Sequence, residues 1–259
     1  MTLWELGALV AGLLVGSFAN VCIHRIPRGE SIVHPRSRCP RCGALIRAWE
    51  NVPILSYVLL LGRCRACRAP ISPRYPLVEA GNGLLYWAVA SVQTPGVTAG
   101  MTMALLTALL VLSLIDLEHY ILPNVITLPG IVFGIAASFV PGWPVGPIEA
   151  VLSAAGGYAV LALFGMAYQK LRGVEGLGQG DWKMVAMLGA CLGWRGAVLA
   201  LLLASVGGTI VGVAIALWQR SSVRQQRIPL GTFLGLAAIV VVFTGRRLLG
   251  WYTGLWFGR

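Results

Sequence analysis

Long apolar runs, separated by short polar or Pro/Gly-containing segments, dominate the pattern of this 259-residue chain. Most runs approach the roughly 17–25 residues that a helix needs to cross a bilayer, and they lack the alternation of membrane β-barrel strands. Backbone groups in lipid must pair within their own segment, which favours helices. We therefore predict an all-α polytopic membrane protein with about eight transmembrane helices, at residues 3–23, 77–92, 97–115, 125–140, 148–168, 181–194, 196–218 and 229–244.

Composition and charge agree with this interpretation. Hydrophobic residues make up 57% of the chain and charged residues 11%, whereas about 25% of an ordinary soluble domain is charged. The net charge is +11, and ten arginines fall between Arg25 and Arg74. With the N-terminus outside, eight helices place 16 of the 20 basic residues in cytoplasmic connections, as the positive-inside rule requires. The basic balance therefore indicates membrane topology, and we expect no nucleic-acid partner.

The first apolar run is predicted to be a membrane helix and not a cleavable signal peptide, because it lacks a positive leading segment and arginines follow it. Its small residues, among them Gly12 and Gly16, favour close helix packing. Asn20 lies at its cytoplasmic end, where an interfacial cap is the simpler interpretation. Glu79, near the start of the second helix, is either an interfacial charge or a functional carboxyl.

The polar loop between the first two helices carries two C-x-x-C pairs separated by 21 residues, formed by Cys39, Cys42, Cys64 and Cys67. Two such pairs at this spacing are typical of a four-cysteine zinc site. A pair of disulfides is the alternative, but the charge of the loop places it in the reducing cytoplasm. We expect a structural zinc ion here, because four thiolates leave no open coordination position.

The chain has only two aspartates, Asp116 and Asp181, and each stands at the edge of an apolar run. The predicted topology places both at the cytoplasmic edge of the membrane. Ionisable groups at that depth suggest function, although a helix-end charge at Asp116 and an N-cap at Asp181 remain simpler alternatives. Two carboxyls that face each other share protons unequally and can act as base and acid. Gly178 and Gly180 would allow close backbone approach, and Lys183 would be a membrane anchor or a substrate contact.

Several motifs resemble those of one family. GLGQGDWK, which contains Asp181, resembles the G-x-G-D motif of membrane aspartyl proteases, a group that includes prepilin peptidases, preflagellin peptidases and presenilins. IDLEHYILPN, which contains Asp116, resembles the first-aspartate motif of bacterial prepilin peptidases. GSFANVCIHRIPR, the cysteine-bearing loop and IPLGTF match the same family in order, so the resemblance runs from about Gly16 to Phe233.

This resemblance implies an aspartyl endopeptidase that removes the cytoplasmic leader of type IV prepilins or type II secretion pseudopilins. Asp116 and Asp181 would be the catalytic pair, and the four loop cysteines would bind zinc. Many relatives also methylate the new N-terminal amine with S-adenosylmethionine, an activity that the long cysteine-bearing loop favours here. Two departures stand out, since many relatives have an acidic residue in place of Asn124 and a proline in place of Thr232. We expect neither to touch the aspartates.

The predicted organisation has three parts: residues 1–95, associated with methyl transfer; residues 96–248, the peptidase bundle; and residues 249–259, an aromatic tail. We expect a multi-pass protein of the bacterial inner membrane that contacts lipid and a prepilin, with its active site facing the cytoplasm. A proton-coupled transporter could use the same aspartate pair, although no inverted repeat is evident. An anchored zinc module that binds nucleic acid through its arginines is a third, weaker hypothesis.

Overall fold

A computed structural model of the chain describes residues 1–174, 176, 178–219 and 229–257. Within these residues the regular structure is helical, apart from two isolated β-bridges in the cysteine-bearing loop. The helices are α1 (Leu3–Arg25), α2 (Leu55–Leu59), α3 (Arg74–Val92), α4 (Val97–His119), α5 (Asn124–Ala137), α6 (Pro147–Arg172), α7 (Gln179–Gln219) and α8 (Leu230–Phe257). The predicted helical class is therefore confirmed.

Each of the eight predicted membrane segments corresponds to a helical segment, but the fourth ends at Ala137, three residues before its predicted end at residue 140. The sixth and seventh are continuous in α7 except at Gly193, whose φ of 70° and ψ of 175° break the helix. Glycine adopts this backbone conformation without the steric cost that other residues meet. A single interruption at Gly193 thus separates two segments that the apolar pattern predicts as independent helices.

The structure corrects the predicted end of the last helix. The sequence places that end near Thr244 and treats residues 249–259 as a tail, but α8 continues to Phe257. No proline interrupts this stretch, so helix propagation meets no block there. The predicted basic loop with Arg220, Arg224 and Arg227 lies outside the described residues.

Four of the described helices are long and apolar enough to cross a membrane, judged by length and composition: Leu3–Arg28, Val97–His119, Pro147–Arg172 and Gln179–Gln219. Two shorter apolar helices, Asn124–Ala137 and Leu230–Gly245, accompany them. Large apolar side chains on their outer faces are exposed, for example Leu152 and Leu163 of α6. An exposed apolar surface of this kind suits a lipid environment, and the chain is a membrane protein.

The chain forms two compact units, Met1–Thr107 and Ala108–Arg259, and the division falls within α4. In the first unit, α1 and α3 pack closely and run antiparallel. A Cβ added at Gly12 would lie 2.8 Å from the Cα of Gly83, and one added at Gly16 would lie 2.8 Å from the Cα of Glu79. This close approach is what the small residues of α1 predict.

In the second unit, α7 packs against α5, α6 and α8. The N-terminal half of α7 is almost completely buried, from Met184 to Cys191. Glycines allow close backbone contact here too, since a Cβ added at Gly189 would lie 2.5 Å from the carbonyl oxygen of Ser153. This buried half-helix begins with Asp181 in its first turn and so fixes the position of that residue.

Candidate functional site

Asp116 lies in the last turn of α4 and is 5% exposed. The helix ends shortly afterwards at His119, and Tyr120 takes a positive φ of 56° while donating its N–H to the carbonyl oxygen of Asp116. Pro123 then precedes the next helix. Asp116 is therefore a buried carboxyl at a helix terminus and not a solvated helix-end charge.

The first turn of α8 meets this carboxyl. The backbone N–H of Thr232 donates to Asp116 Oδ2 at 2.7 Å, and the Thr232 hydroxyl lies 3.2 Å from the same oxygen. The hydroxyl is also 3.0 Å from the carbonyl oxygen of Ser113, so two acceptors compete for its one proton. The first N–H groups of a helix have no partner within the helix. The Asp116 carboxyl accepts the free N–H of Thr232, and this hydrogen bond holds the carboxyl against α8.

Asp181 occupies the first turn of α7, where its N–H donates to the carbonyl oxygen of Gly178 at 3.0 Å. It is thus inside the helix and not at its N-cap. The Asp116 carboxyl interacts electrostatically with the Asp181 carboxyl. The structure therefore brings together the only two aspartates of the chain, which are 65 positions apart in the sequence.

Glycine at two positions allows the elements around the aspartates to approach closely. A Cβ added at Gly231 would lie 2.9 Å from both Cδ atoms of Leu122 and 3.0 Å from Asp116 Cγ. A Cβ added at Gly180 would lie 3.0 Å from Leu122 Cβ. Leu122 therefore separates the start of α7 from the start of α8. At Gly178 the close neighbour that the described residues give to an added Cβ is Asp181 Oδ2, at 3.4 Å.

The expectation that neither unusual residue touches the aspartates is wrong for Thr232, which bonds Asp116 directly. Asn124 instead accepts a 2.8 Å hydrogen bond from Lys183 Nζ on the exposed surface. The sequence does indicate that Thr232 has a free backbone N–H, because its motif IPLGTF stands at the start of an apolar run that forms a helix. Which carboxyl meets those groups depends on tertiary packing.

The four loop cysteines converge on one point in the first unit. Their sulfur atoms all lie within 4.8 Å of one another, and Cys39 Sγ is 3.9 Å from Cys67 Sγ. All four are free thiols, so the disulfide alternative is not formed. This cluster could hold a metal ion.

The two cysteine pairs have the same backbone geometry. Cys39 accepts an N–H bond from Gly43 and donates to Ala44, and Cys64 accepts from Arg68 and donates to Ala69. In each turn the residue four positions after the first cysteine has a positive φ, which is 72° at Gly43 and 57° at Arg68. The N–H groups of Cys42 and Arg41 lower the pKa of the Cys39 thiol to about 6. A thiol in this state readily becomes the thiolate that binds metals.

Comparison with protein families gives two matches. Residues 10–93 match the bacterial peptidase A24 N-terminal domain, and residues 103–213 match the type IV leader peptidase family. The first match contains the cysteine cluster, and the second contains both aspartates. No solved structure matches the chain significantly.

Relatives cover most of the chain. A protein of Burkholderia pseudomallei is 37% identical over 263 residues, which span 92% of this chain and 84% of the relative. A protein of Pseudomonas putida is 39% identical over 277 residues, spanning 95% and 96%. A protein of Myxococcus xanthus is 47% identical over 210 residues, spanning 80% and 62%. Each of these relatives is named a prepilin leader peptidase/N-methyltransferase.

Proposed function

The chain belongs to the type IV leader peptidase family, and from this membership we propose that it cleaves the leader of type IV prepilins or type II secretion pseudopilins and methylates the new N-terminus. Its relatives carry both activities in their names, prepilin leader peptidase and N-methyltransferase. The chain is accordingly an enzyme, an endopeptidase with methyltransferase activity. None of the relatives named above favours the transporter alternative.

We assign the peptide cleavage to Asp116 and Asp181. One carboxyl, in its ionised form, removes a proton from a water molecule, which then attacks the scissile carbonyl carbon. The other, in its protonated form, donates to the carbonyl oxygen and later supports departure of the amine. Two interacting carboxyls hold different numbers of protons at one pH, which provides both forms at once.

The observation that carries this assignment is that two carboxyls far apart in sequence, one of them 5% exposed, lie near enough to interact electrostatically. A buried charge at a membrane segment is costly and needs a compensating role. The hydrogen bonds from the start of α8 hold Asp116 in place, and the first turn of α7 holds Asp181. We further propose that Gly178 leaves room for the extended substrate backbone near Asp181, whereas Leu122 occupies the space beside Gly180.

For the cysteine cluster we propose a structural zinc ion. Tetrahedral coordination with zinc–sulfur bonds of about 2.3 Å separates the sulfurs by about 3.8 Å, close to the 3.9 Å between Cys39 and Cys67. Four thiolates complete the coordination and leave no position for a substrate. Zinc would therefore fix the loop and take no part in bond cleavage.

The methyl group would come from S-adenosylmethionine, whose sulfonium supplies an electrophilic methyl carbon. The chain would lie in the bacterial inner membrane, with the aspartates and the cysteine loop on the cytoplasmic side. The support for this orientation is the concentration of 16 of the 20 basic residues in the connections assigned to that side. The apolar helix of the precursor would then lie in the bilayer, and its leader would be accessible from the cytoplasm.

A direct test co-expresses the chain with a candidate precursor in cells that lack their own leader peptidase. Mass spectrometry of the product N-terminus then reads both activities at once. We expect loss of the leader and a mass increase of about 14 Da for one methyl group, as methylation of the new amine requires. An intact leader, together with proton-dependent flux in liposomes, would favour the transporter instead.

A further inference from the structure

We propose that Asn20 and Glu79 form a binding site for a protonated primary amine, and that Glu79 removes a proton from that amine before methyl transfer. The proposal rests on the methyltransferase activity proposed above and identifies residues that serve it. Both residues lie in the first unit, within the α1–α3 pair, and neither belongs to the metal cluster. The argument starts from the geometry of that helix pair.

The α1–α3 contacts repeat in layers four residues apart. Gly12 lies against Gly83, Gly16 lies against Glu79, and the Asn20 side chain reaches Tyr75. Residue numbers rise along α1 while those of the contacting residues on α3 fall, which is the pattern of antiparallel helices. Asn20 and Glu79 therefore occupy adjacent layers of the same interface.

The two side chains lean towards each other because side chains on a helix tilt towards its N-terminus. Asn20 leans back along α1 towards the layer of Glu79, as the Nδ2 contact with the Gly16 carbonyl oxygen, at 3.4 Å, confirms. Glu79 leans along α3 towards the layer of Asn20 and Tyr75. Each side chain is therefore inclined towards the layer of the other.

The side-chain oxygen of Asn20 is a buried hydrogen-bond acceptor for which the described residues provide no donor. Its Nδ2 donates to the carbonyl oxygens of Gly16 and Tyr75, at 3.4 and 3.1 Å, which fixes the orientation of the amide. Its Oδ1 is fully buried and accepts no hydrogen bond from any described residue. Asn20 itself is 3% exposed. A buried acceptor without a donor costs about 1–3 kcal/mol, so the site favours a ligand that brings a donor.

Glu79 adds a negative charge to the same region. It is 8% exposed, yet no ion pair to it is present among the described residues. Its Oε2 accepts the N–H of Ile54 at 2.8 Å, and this is the hydrogen bond that the structure gives to the carboxylate. A buried carboxylate without a cation is unfavourable and is usually matched by a positive partner.

The backbone at Ile54 indicates that the position of Glu79 is held at some cost. Ile54 has a φ of 60° and a ψ of −50°, and Leu55 donates its N–H to the carbonyl oxygen of Pro53, which forms a tight γ-turn. This conformation is strained for a β-branched residue. The Glu79–Ile54 bond links the strained turn to α3, so the carboxylate is fixed in one orientation.

A primary ammonium group matches these two acceptors best. It carries one positive charge and three N–H donors, which suits one carboxylate oxygen, one amide oxygen and a third acceptor. A metal ion is a poorer fit, because Ca²⁺ and Mg²⁺ take about six or more oxygen ligands. The layer lies close to the end of α1, since His24, one turn beyond Asn20 and about 6 Å along the helix, is exposed.

The chemistry of methyl transfer requires such a site. An ammonium group has no lone pair, so the new N-terminal amine must first lose a proton. In the proposed step the ammonium gives one proton to the Glu79 carboxylate. The nitrogen lone pair then attacks the methyl carbon of the sulfonium donor, the C–S bond breaks, and its electron pair stays on sulfur. The products are a methylated secondary ammonium, a neutral thioether and protonated Glu79, which releases its proton to water.

The test uses Glu79→Gln in the full-length chain. Glutamine keeps a carbonyl oxygen to accept the Ile54 N–H and removes only the charge and the basicity. Glu5→Gln is the matched control, because it makes the same change in the exposed cap of α1. We expect Glu5→Gln to cleave and methylate within about twofold of the parent, and Glu79→Gln to lower methylation at least about 100-fold relative to its own cleavage rate, the usual contribution of a general base.

Binding measurements identify the source of the amine and test the site without catalysis. The ligands are a pre-cleaved peptide with a free N-terminus, the same peptide with an acetylated N-terminus, and S-adenosylmethionine. If the site holds the peptide amine, the parent binds the free peptide at least about tenfold more tightly than the acetylated one, and Glu79→Gln does not, since a charge-assisted hydrogen bond is lost. Weaker donor binding by Glu79→Gln, with unchanged peptide binding, would place the donor's own amine there and would contradict the proton-removal step.

Two outcomes overturn the proposal. One is methylation by Glu79→Gln within about threefold of the parent rate, which is too small a loss for a missing base. The other is equal affinity of the two proteins for the free peptide and for the donor. A parent protein that cleaves but never methylates would refute the proposed methyltransferase activity instead, and the binding comparison would still decide whether the amine site exists.

Discussion

The backbone N–H of Thr232 donates a 2.7 Å hydrogen bond to Asp116 Oδ2, so the first turn of α8 is built directly onto the carboxyl of α4. This contact joins residues 116 positions apart. Any residue at position 232 except proline keeps this backbone donor. The threonine hydroxyl makes a second, separate contact with the Asp116 carboxyl. The two contributions can be separated by substitution.

Thr232→Val keeps the backbone donor and removes the hydroxyl that lies 3.2 Å from Asp116 Oδ2. A hydrogen bond of this kind contributes about 1 kcal/mol, so we expect kcat for leader cleavage to fall about threefold to tenfold. Thr244→Val is the matched control, since that hydroxyl bonds the carbonyl oxygen of Val240 in its own helix. Equal rates for the two variants in a peptide cleavage assay would contradict a role for the Thr232 hydroxyl.

Gly231→Ala places a methyl group 3.0 Å from Asp116 Cγ and 2.9 Å from Leu122. We expect cleavage to fall by about 100-fold, because small displacements of a reacting group have effects of that size. The control is Gly156→Ala in α6, where an added Cβ has no neighbour within 4 Å. Full activity of Gly231→Ala would mean that Asp116 does not need its present position.

Cys39→Ser removes one sulfur of the four-cysteine cluster. We expect purified parent protein to contain about one zinc ion per chain and the variant to lose it on dialysis, since three thiolates hold zinc more weakly than four. Elemental analysis by mass spectrometry measures this directly. Cys22→Ser, which changes a buried thiol outside the cluster, should keep its metal, and metal loss from both variants alike would argue against the site.

Lys183→Met tests the simpler of the two roles predicted for this residue. Its ammonium bonds Asn124 Oδ1 on the exposed surface, where such contacts contribute little. We expect cleavage within about threefold of the parent rate. A rise in KM of tenfold or more would assign Lys183 to the substrate instead.

Much of the fold is predictable from the sequence because lipid allows few backbone solutions. Apolar run length alone locates the eight helical segments, and Gly12 and Gly16 correctly indicate where α1 approaches its partner. Helix continuity is less predictable. The apolar pattern does not distinguish a turn at Gly193 from a kink within α7, nor an aromatic tail from the continuation of α8, because both alternatives have the same composition.

The site is predictable where residue type limits the chemistry. Four cysteines in two pairs have few roles, and their convergence follows from spacing alone. The partners of the aspartates do not follow in this way. Thr232 contacts Asp116 only because α4 and α8 pack side by side, a relation between distant segments that no local pattern contains. The same holds for Glu79, whose contact with Ile54 joins the membrane helices to the loop.

The central claim is that Asp116 and Asp181 act together in cleavage, and substitution of each by asparagine tests it most directly. Asparagine keeps the size of the side chain but cannot exchange the proton. We expect Asp116→Asn and Asp181→Asn each to lower the cleavage rate by at least about 100-fold, and the double variant to lose no more than the worse single variant, as for groups that act as a unit. Both variants should still methylate a pre-cleaved peptide, which would show that they are folded. Cleavage of the precursor at the parent rate by either single variant, measured by mass spectrometry of the product N-terminus, would contradict the claim.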